Sequence, residues 1–145
     1  MNDTASIFHN GPIPPELVSA CLEQYAAEKT TGAYSCFLGQ VRADVVNGEE
    51  VIAIEYTAYT SMADDAFLKI NAEVTSSFGL NASFIKHSIG MVEAGQICLL
   101  VLTMAAHRKA AMDACNVLVE RIKKELPIWG KEVVMGEGYQ WKENK

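Results

Sequence analysis

The residues best suited to chemistry in this 145-residue chain are cations set inside otherwise apolar segments. Gly39-Gln40-Val41-Arg42 closes an apolar stretch, and Arg42 offers a rigid guanidinium fork matched to phosphate or carboxylate. His107-Arg108 follows a very apolar run at the start of a predicted helix, where free backbone N–H groups and two cationic side chains make an anion site. Lys123 lies near the end of that helix, just before Pro127-Ile128-Trp129. An amine held against apolar walls can act as acid, base or nucleophile. Trp129-Gly130-Lys131-Glu132 is the fourth cluster. Each has a plainer reading: Arg42 as a surface arginine, His107 as a helix cap, Lys123 as a lysine favoured by the helix dipole, and the last cluster as a turn into an edge strand.

The elements that must carry these groups follow from pattern. Pro14-Pro15-Glu16 opens a helix that Leu17, Cys21, Leu22 and Tyr25 extend to about Lys29. Ala33–Val41 reads as a strand, Asn47-Gly48 as a tight turn and Val51–Tyr59 as a second strand, the two strands forming a hairpin. Ser61 with Asp64 resembles a capping box, and Met62, Ala66, Ile70, Val74 and Phe78 trace a helix that Gly79 ends. Ala82–Ile89 and Gln96–Met104 read as strands around a turn at residues 93–95. His107–Leu126 is a long helix with Ala110, Ala114, Val117, Leu118 and Ile122 on its apolar face, stopped by Pro127. Residues 131–141 form a small hairpin around Gly136-Glu137-Gly138. The expected fold is one α+β domain over residues 1–145, with a mainly antiparallel sheet, three helices and a small C-terminal hairpin.

Bulk properties narrow the function. A net charge of −6 argues against non-specific nucleic-acid binding. The apolar run Ile97–Ala106 falls well short of the roughly 20 residues of a membrane span, and the first 15 residues lack a signal-peptide pattern, so a cytoplasmic protein without a membrane partner is expected. Cys21, Cys36, Cys98 and Cys115 form no CxxC pair and have no histidine at metal spacing, which makes them small hydrophobes and predicts no metal site. No phosphate-binding glycine loop or nucleophile elbow is present, and no cofactor is expected.

In order along the chain, Gly32-Ala33, Phe37-Leu38-Gly39-Gln40-Val41-Arg42, Val51–Tyr59 with Ser61-Met62-Ala63, His87-Ser88-Ile89-Gly90, Ala106-His107-Arg108, Lys123, Pro127–Glu132 and Gly138–Trp141 resemble the large-subunit family of molybdopterin synthase. The resemblance implies an alpha/beta-hammerhead-like fold and a sulfurtransferase. Such enzymes move sulfur from the C-terminal thiocarboxylate of a small ubiquitin-like carrier subunit to cyclic pyranopterin monophosphate, forming the dithiolene. It implies a homodimer of large subunits inside a heterotetramer. It also implies Lys123 and Lys131 as catalytic residues, and Phe37, Gln40, Val41, Arg42, His107, Arg108, Lys123, Lys131 and Glu132 as substrate-binding residues, with the His-Arg pair reaching a neighbouring subunit's site. Two positions depart from the family pattern: Gly130 replaces a usual second lysine, and Ser88 a usual arginine. Lys131, one residue on, is expected to reach the space the missing lysine would fill. Composition and element order also fit a non-enzymatic module gripping a phosphorylated metabolite, or a scaffold subunit that has lost catalysis.

Overall fold

The computed structural model describes residues 6–136 and 139–141. Its elements run β1 (Phe8–Asn10), α1 (Pro15–Tyr25), β2 (Ala33–Gln40), β3 (Val45–Val46), β4 (Glu49–Ala58), α2 (Thr60–Phe78), β5 (Ala82–Glu93), β6 (Ile97–Ala105), α3 (Arg108–Glu125), β7 (Ile128–Val134) and β8 (Tyr139–Trp141). The sheet order is β2-β6-β5-β4-β7-β8, with β1 added to β5 and β3 to β4. The pairings are antiparallel except that of β1 with β5. The expected α+β fold with three helices is what the chain adopts. β1 is an addition, a three-residue strand too short to leave a periodic signature.

β6 explains the most apolar run in the sequence, because it is buried on both faces. Leu99, Val101 and Ala105 join the main core with Ile70 and Val74 of α2 and Ala111, Leu118 and Ile122 of α3. Leu102 and Met104 face the other way and pack with Cys21, Leu17 and Tyr25 of α1. A strand covered on both sides needs no polar alternation. Among the described residues no helix is long and apolar enough to cross a membrane.

Three local expectations change. β2 and β4 do not form a hairpin. β2 pairs along its length with β6, from Ala33↔Ala105 to Gln40↔Ile97, while β4 lies between β5 and β7. Val41, 1% exposed, leads the chain out of β2 and anchors it through Val41 N–H to the Gln96 carbonyl at 3.0 Å and Gly95 N–H to the Val41 carbonyl at 2.8 Å. Asn47-Gly48 is a tight turn with φ of 54° and 79°, but it joins β4 only to the two-residue β3. The second change is at α2, whose N-cap is Tyr59 with no side-chain cap. Asp64 instead accepts hydrogen bonds from Ile7 N–H at 2.9 Å and the Ser6 hydroxyl at 3.2 Å, tying the N-terminal segment to the helix. Third, β7 begins at Ile128, ahead of the hairpin expected from residue 131, so Trp129 and Gly130 are strand residues paired with β4, and β8 pairs further along with Lys131 and Glu132. The pairing of β7 with β8 gives the expected C-terminal hairpin, while Glu137 and Gly138 of its connection lie outside the described residues.

Candidate active site

α3 has a cation-rich last turn, Lys123 and Lys124, and cannot continue past Pro127. The chain reverses there: Ile128 N–H bonds to the Leu126 carbonyl at 2.9 Å and Tyr59 N–H to the Pro127 carbonyl at 3.1 Å. β7 therefore returns beside the helix end, and a cavity of about 510 Å³ opens between them. Its walls are Gly39 and Gln40 from the end of β2, Tyr56 of β4, His87 of β5, Cys98 and Leu99 of β6, Ile122, Lys123, Lys124 and Leu126 of α3, and Ile128, Trp129 and Gly130 of β7. Trp129 stands half-exposed at this wall in an edge-to-face contact with Tyr59, ring centres 5.0 Å apart.

The polar groups of the cavity are specialised by their surroundings. His87 is 8% exposed, and its Nδ1 donates to the Ser88 carbonyl at 2.8 Å, because a carbonyl can only accept. Burial pushes its pKa down to about 4; the Ser88 carbonyl opposes this and the Lys123 charge adds to it. His87 is thus a neutral imidazole, flanked by Tyr56 at 5.1 Å and Phe8 at 6.3 Å. Tyr56 is held protonated, chiefly by burial and further by its Cys98 neighbour, with which it shares a hydrogen bond, and by the Glu132 charge. The Cys98 thiol donates in turn to the Gly39 carbonyl at 3.4 Å. Lys124 points outward, 76% exposed and 3.9 Å from Glu120.

A stability prediction follows from His87. Between pH 6.5 and about 4 the unfolded chain binds a proton that the folded chain refuses, so stability is complete above pH 6.5 and falls as the pH drops towards 4. At pH 5 the expected loss from this residue is about 2 kcal/mol. Urea unfolding at pH 7 and pH 5 should show that loss in the parent and much less of it in His87→Gln. Equal losses in both proteins would rule out the imidazole as the cause.

The structure brings together some of the sequence-selected residues and separates others. Lys123 and Gln40 line the cavity. Phe37 lies behind the wall, its ring 3.5 Å from where a β-carbon on Gly39 would sit. Val41 is in the core, and Glu132, opposite Ile54 in the β4–β7 ladder, is buried, 7% exposed. Arg42 is exposed and pairs with Asp44 at 3.3 Å. Lys131 does not reach the space beside Gly130. Neighbouring strand residues face opposite sides, and Lys131 pairs with Glu55 at 3.6 Å on the far face of β7. His107 and Arg108 line a separate concavity of about 530 Å³ with Gly32, Ala33, Ala106 and Lys109 at the other end of α3. Lys123 lies fifteen helical steps beyond Arg108, roughly 22 Å, so the two cationic sites of one chain do not converge on one small molecule. Tyr56, His87 and Cys98 were not selected from the sequence, since each sits in a strand where its side chain reads as core. The Ser88 hydroxyl is buried without a hydrogen-bond partner.

The mainly antiparallel sheet and its helices thus place Lys123 at a cavity beside the end of α3 and His107 with Arg108 at a separate concavity beside its start. The MoaE protein family matches residues 14–125, and the chain belongs to it. The catalytic subunit of molybdopterin synthase from Bacillus subtilis is 35% identical over 114 residues, 79% of this chain and 71% of that protein. Fungal, plant and mammalian relatives of the same description are longer, and the chain spans 60 to 65% of their length. Among solved structures, molybdopterin synthase from Staphylococcus aureus superposes with a TM-score of 0.79 at 30% identity, covering 96% of this chain and 98% of that one. The complex of subunits 1 and 2 of molybdopterin-converting factor from Helicobacter pylori shares the fold, with a TM-score of 0.79 at 24% identity, covering 94% and 90%.

Proposed function

We propose that this chain is the catalytic subunit of a molybdopterin synthase. It transfers sulfur from the thiocarboxylated C-terminal glycine of a small ubiquitin-like carrier to cyclic pyranopterin monophosphate. The observation that carries this reading is the placement of Lys123 in a cavity walled by Gly39 and Gly130 beside the exposed Trp129. The ammonium there meets the negative charge that the carrier's tail brings. Lys123 then neutralises charge developing at the reacting atoms and supplies or accepts a proton there. The separated His107-Arg108 site supports a homodimer in which one subunit's pair holds the phosphate of a substrate that the other subunit's Lys123 serves. A carrier bound to each large subunit completes a heterotetramer, and the reading places the assembly in the cytoplasm.

Sulfur carried by a partner removes any need for a nucleophilic cysteine in this chain. Cys36 is the exposed thiol, so Cys36→Ser should leave turnover within about twofold, an effect typical of surface substitutions. A large loss in a folded Cys36→Ser protein would contradict carrier-borne sulfur.

Reconstitution tests the proposal. Purified protein, thiocarboxylated carrier and cyclic pyranopterin monophosphate are mixed, and molybdopterin is read as its fluorescent oxidation product. Product that requires the carrier is the expected result. Carrier binding without product would identify a scaffold subunit, and absence of both would identify a metabolite-binding module.

A further inference from the structure

Tyr56 is one of the polar residues lining the cavity that neither the sequence reading nor the proposed transfer has used. It sits directly across from Gly130 in the β4–β7 ladder, and its ring lies against that glycine. A β-carbon at position 130 would fall 3.1 Å from Tyr56 Cε1, 3.4 Å from Cδ1 and 2.9 Å from Ile54 Cγ2. Gly130 has no positive φ, so the glycine is required by close approach and not by backbone conformation. The edge contact with His87, 5.1 Å between ring centres, fixes the ring from another side.

Tyr56 and Lys123 line the same cavity. His87 has already committed its N–H to the Ser88 carbonyl. The hydroxyl's partner is the Cys98 sulfur, whose own hydrogen is directed to the Gly39 carbonyl. Thiol sulfur is a weak acceptor, so an arriving oxygen that carries negative charge is a better partner for the phenol. The hydroxyl is parked on a site that it can leave at little cost.

We propose that the Tyr56 hydroxyl is a second hydrogen-bond donor to the acyl oxygen of the carrier's thiocarboxylate, acting beside Lys123, and that Gly130 is the seat that holds it there. This rests on the sulfur-transfer reading above. Once sulfur has bonded to the substrate carbon, water adds to the acyl carbon and the carbonyl π electrons move onto oxygen. Collapse then breaks the acyl–sulfur bond. Sulfur leaves on the substrate as thiolate with the bonding pair, the carrier keeps the water oxygen as carboxylate, and two protons are released. Tyr56 donates a hydrogen bond to the transient oxyanion and keeps its proton throughout. Burial holds the phenol in that protonated form.

The test compares parent, Tyr56→Phe, Gly130→Ala and Tyr56→Phe/Gly130→Ala proteins, each complexed with thiocarboxylated carrier. Loss of one oxyanion donor costs roughly 10²–10³-fold where it is a main stabiliser. With Lys123 still present, Tyr56→Phe is expected to lower kcat by at least about tenfold, with KM for both reactants and the melting temperature unchanged. Gly130→Ala should lower kcat by displacing the ring, and should add little in the Tyr56→Phe background, because both act through one hydroxyl. Parent turnover together with Tyr56→Phe turnover within about twofold of it overturns the assignment while leaving the sulfur-transfer reading intact. Equal Gly130→Ala losses in both backgrounds overturn the seat. If the parent binds carrier without making product, the reading of function falls, and this assignment falls with it.

Discussion

Lys123→Ala is expected to lower molybdopterin formation by roughly 10³-fold, the scale of a removed proton-transfer or charge-stabilising group, while carrier affinity changes by no more than about threefold. The asymmetry follows from position. Lys123 lines the cavity from the last turn of α3, where it is exposed. A carrier of ordinary size would bury about 800 Å² on each partner, so one side chain contributes a small share of binding. Among the described residues, Lys124 also lines the cavity but is largely exposed and 3.9 Å from Glu120, and Lys131 pairs with Glu55 on the opposite face of β7, so neither is expected to replace Lys123. Lys123→Arg separates charge from proton transfer, because guanidinium stays protonated and needs more room. It should recover little if the amine moves a proton, and much more if the charge alone matters. Single-turnover formation of molybdopterin alongside carrier titration measures both quantities. More than a tenth of parental turnover in Lys123→Ala would remove the residue from the chemistry.

The sequence was most legible where a single element decides its own character. α2 and α3 carry long apolar stripes bounded by Gly79 and Pro127, and both helices form where the stripes run. β6 was legible as buried because no polar residue breaks it before Thr103. What could not be read was partnership. β2 pairs with a strand far along the chain, and the Asn47-Gly48 signal, though physically correct, marks a hairpin too small to set the sheet order. Asp64 shows the same limit: a carboxylate near a helix start suggests a cap, but tertiary structure gives it Ser6 and Ile7 instead.

The candidate site divides along the same line. Lys123 stood out because a cation beside a rigid aromatic exit is unusual, whereas Tyr56, His87 and Cys98 sit in strands as ordinary inward residues. Only the fold turns them towards one cavity. Lys131 illustrates how a neighbour's backbone freedom can mislead. With Gly130 read as a free joint, Lys131 could swing into the space beside it; in the strand the pleat sends it to the opposite face, against Glu55. The departure at Gly130 then acquires a reason of its own, since the Tyr56 ring fills the room that a side chain there would need.

Gly32→Ala should be the most damaging small substitution to the fold, costing about 3 kcal/mol or more, at the upper end of overpacking effects. Gly32 sits just before β2, where its N–H bonds to the Ala105 carbonyl at 2.9 Å. A β-carbon there would lie 2.1 Å from the Ala106 carbonyl oxygen and 3.2 Å from its carbon. Both are backbone atoms, so no rotamer change relieves the overlap, and the strand ends must separate. Gly32 has no positive φ, which leaves the close approach as the cause. The displaced segment leads straight into His107 and Arg108, whose concavity Gly32 itself lines. One methyl group is therefore expected both to lower the melting temperature by roughly 10 °C and to weaken inorganic phosphate binding at this site in the protein that stays folded. Thermal unfolding and phosphate titration read the two effects separately. An unchanged melting temperature would show that β2 and β6 can part here at little cost. Lowered stability with phosphate affinity intact would show that the His-Arg site tolerates movement of the strand that delivers it.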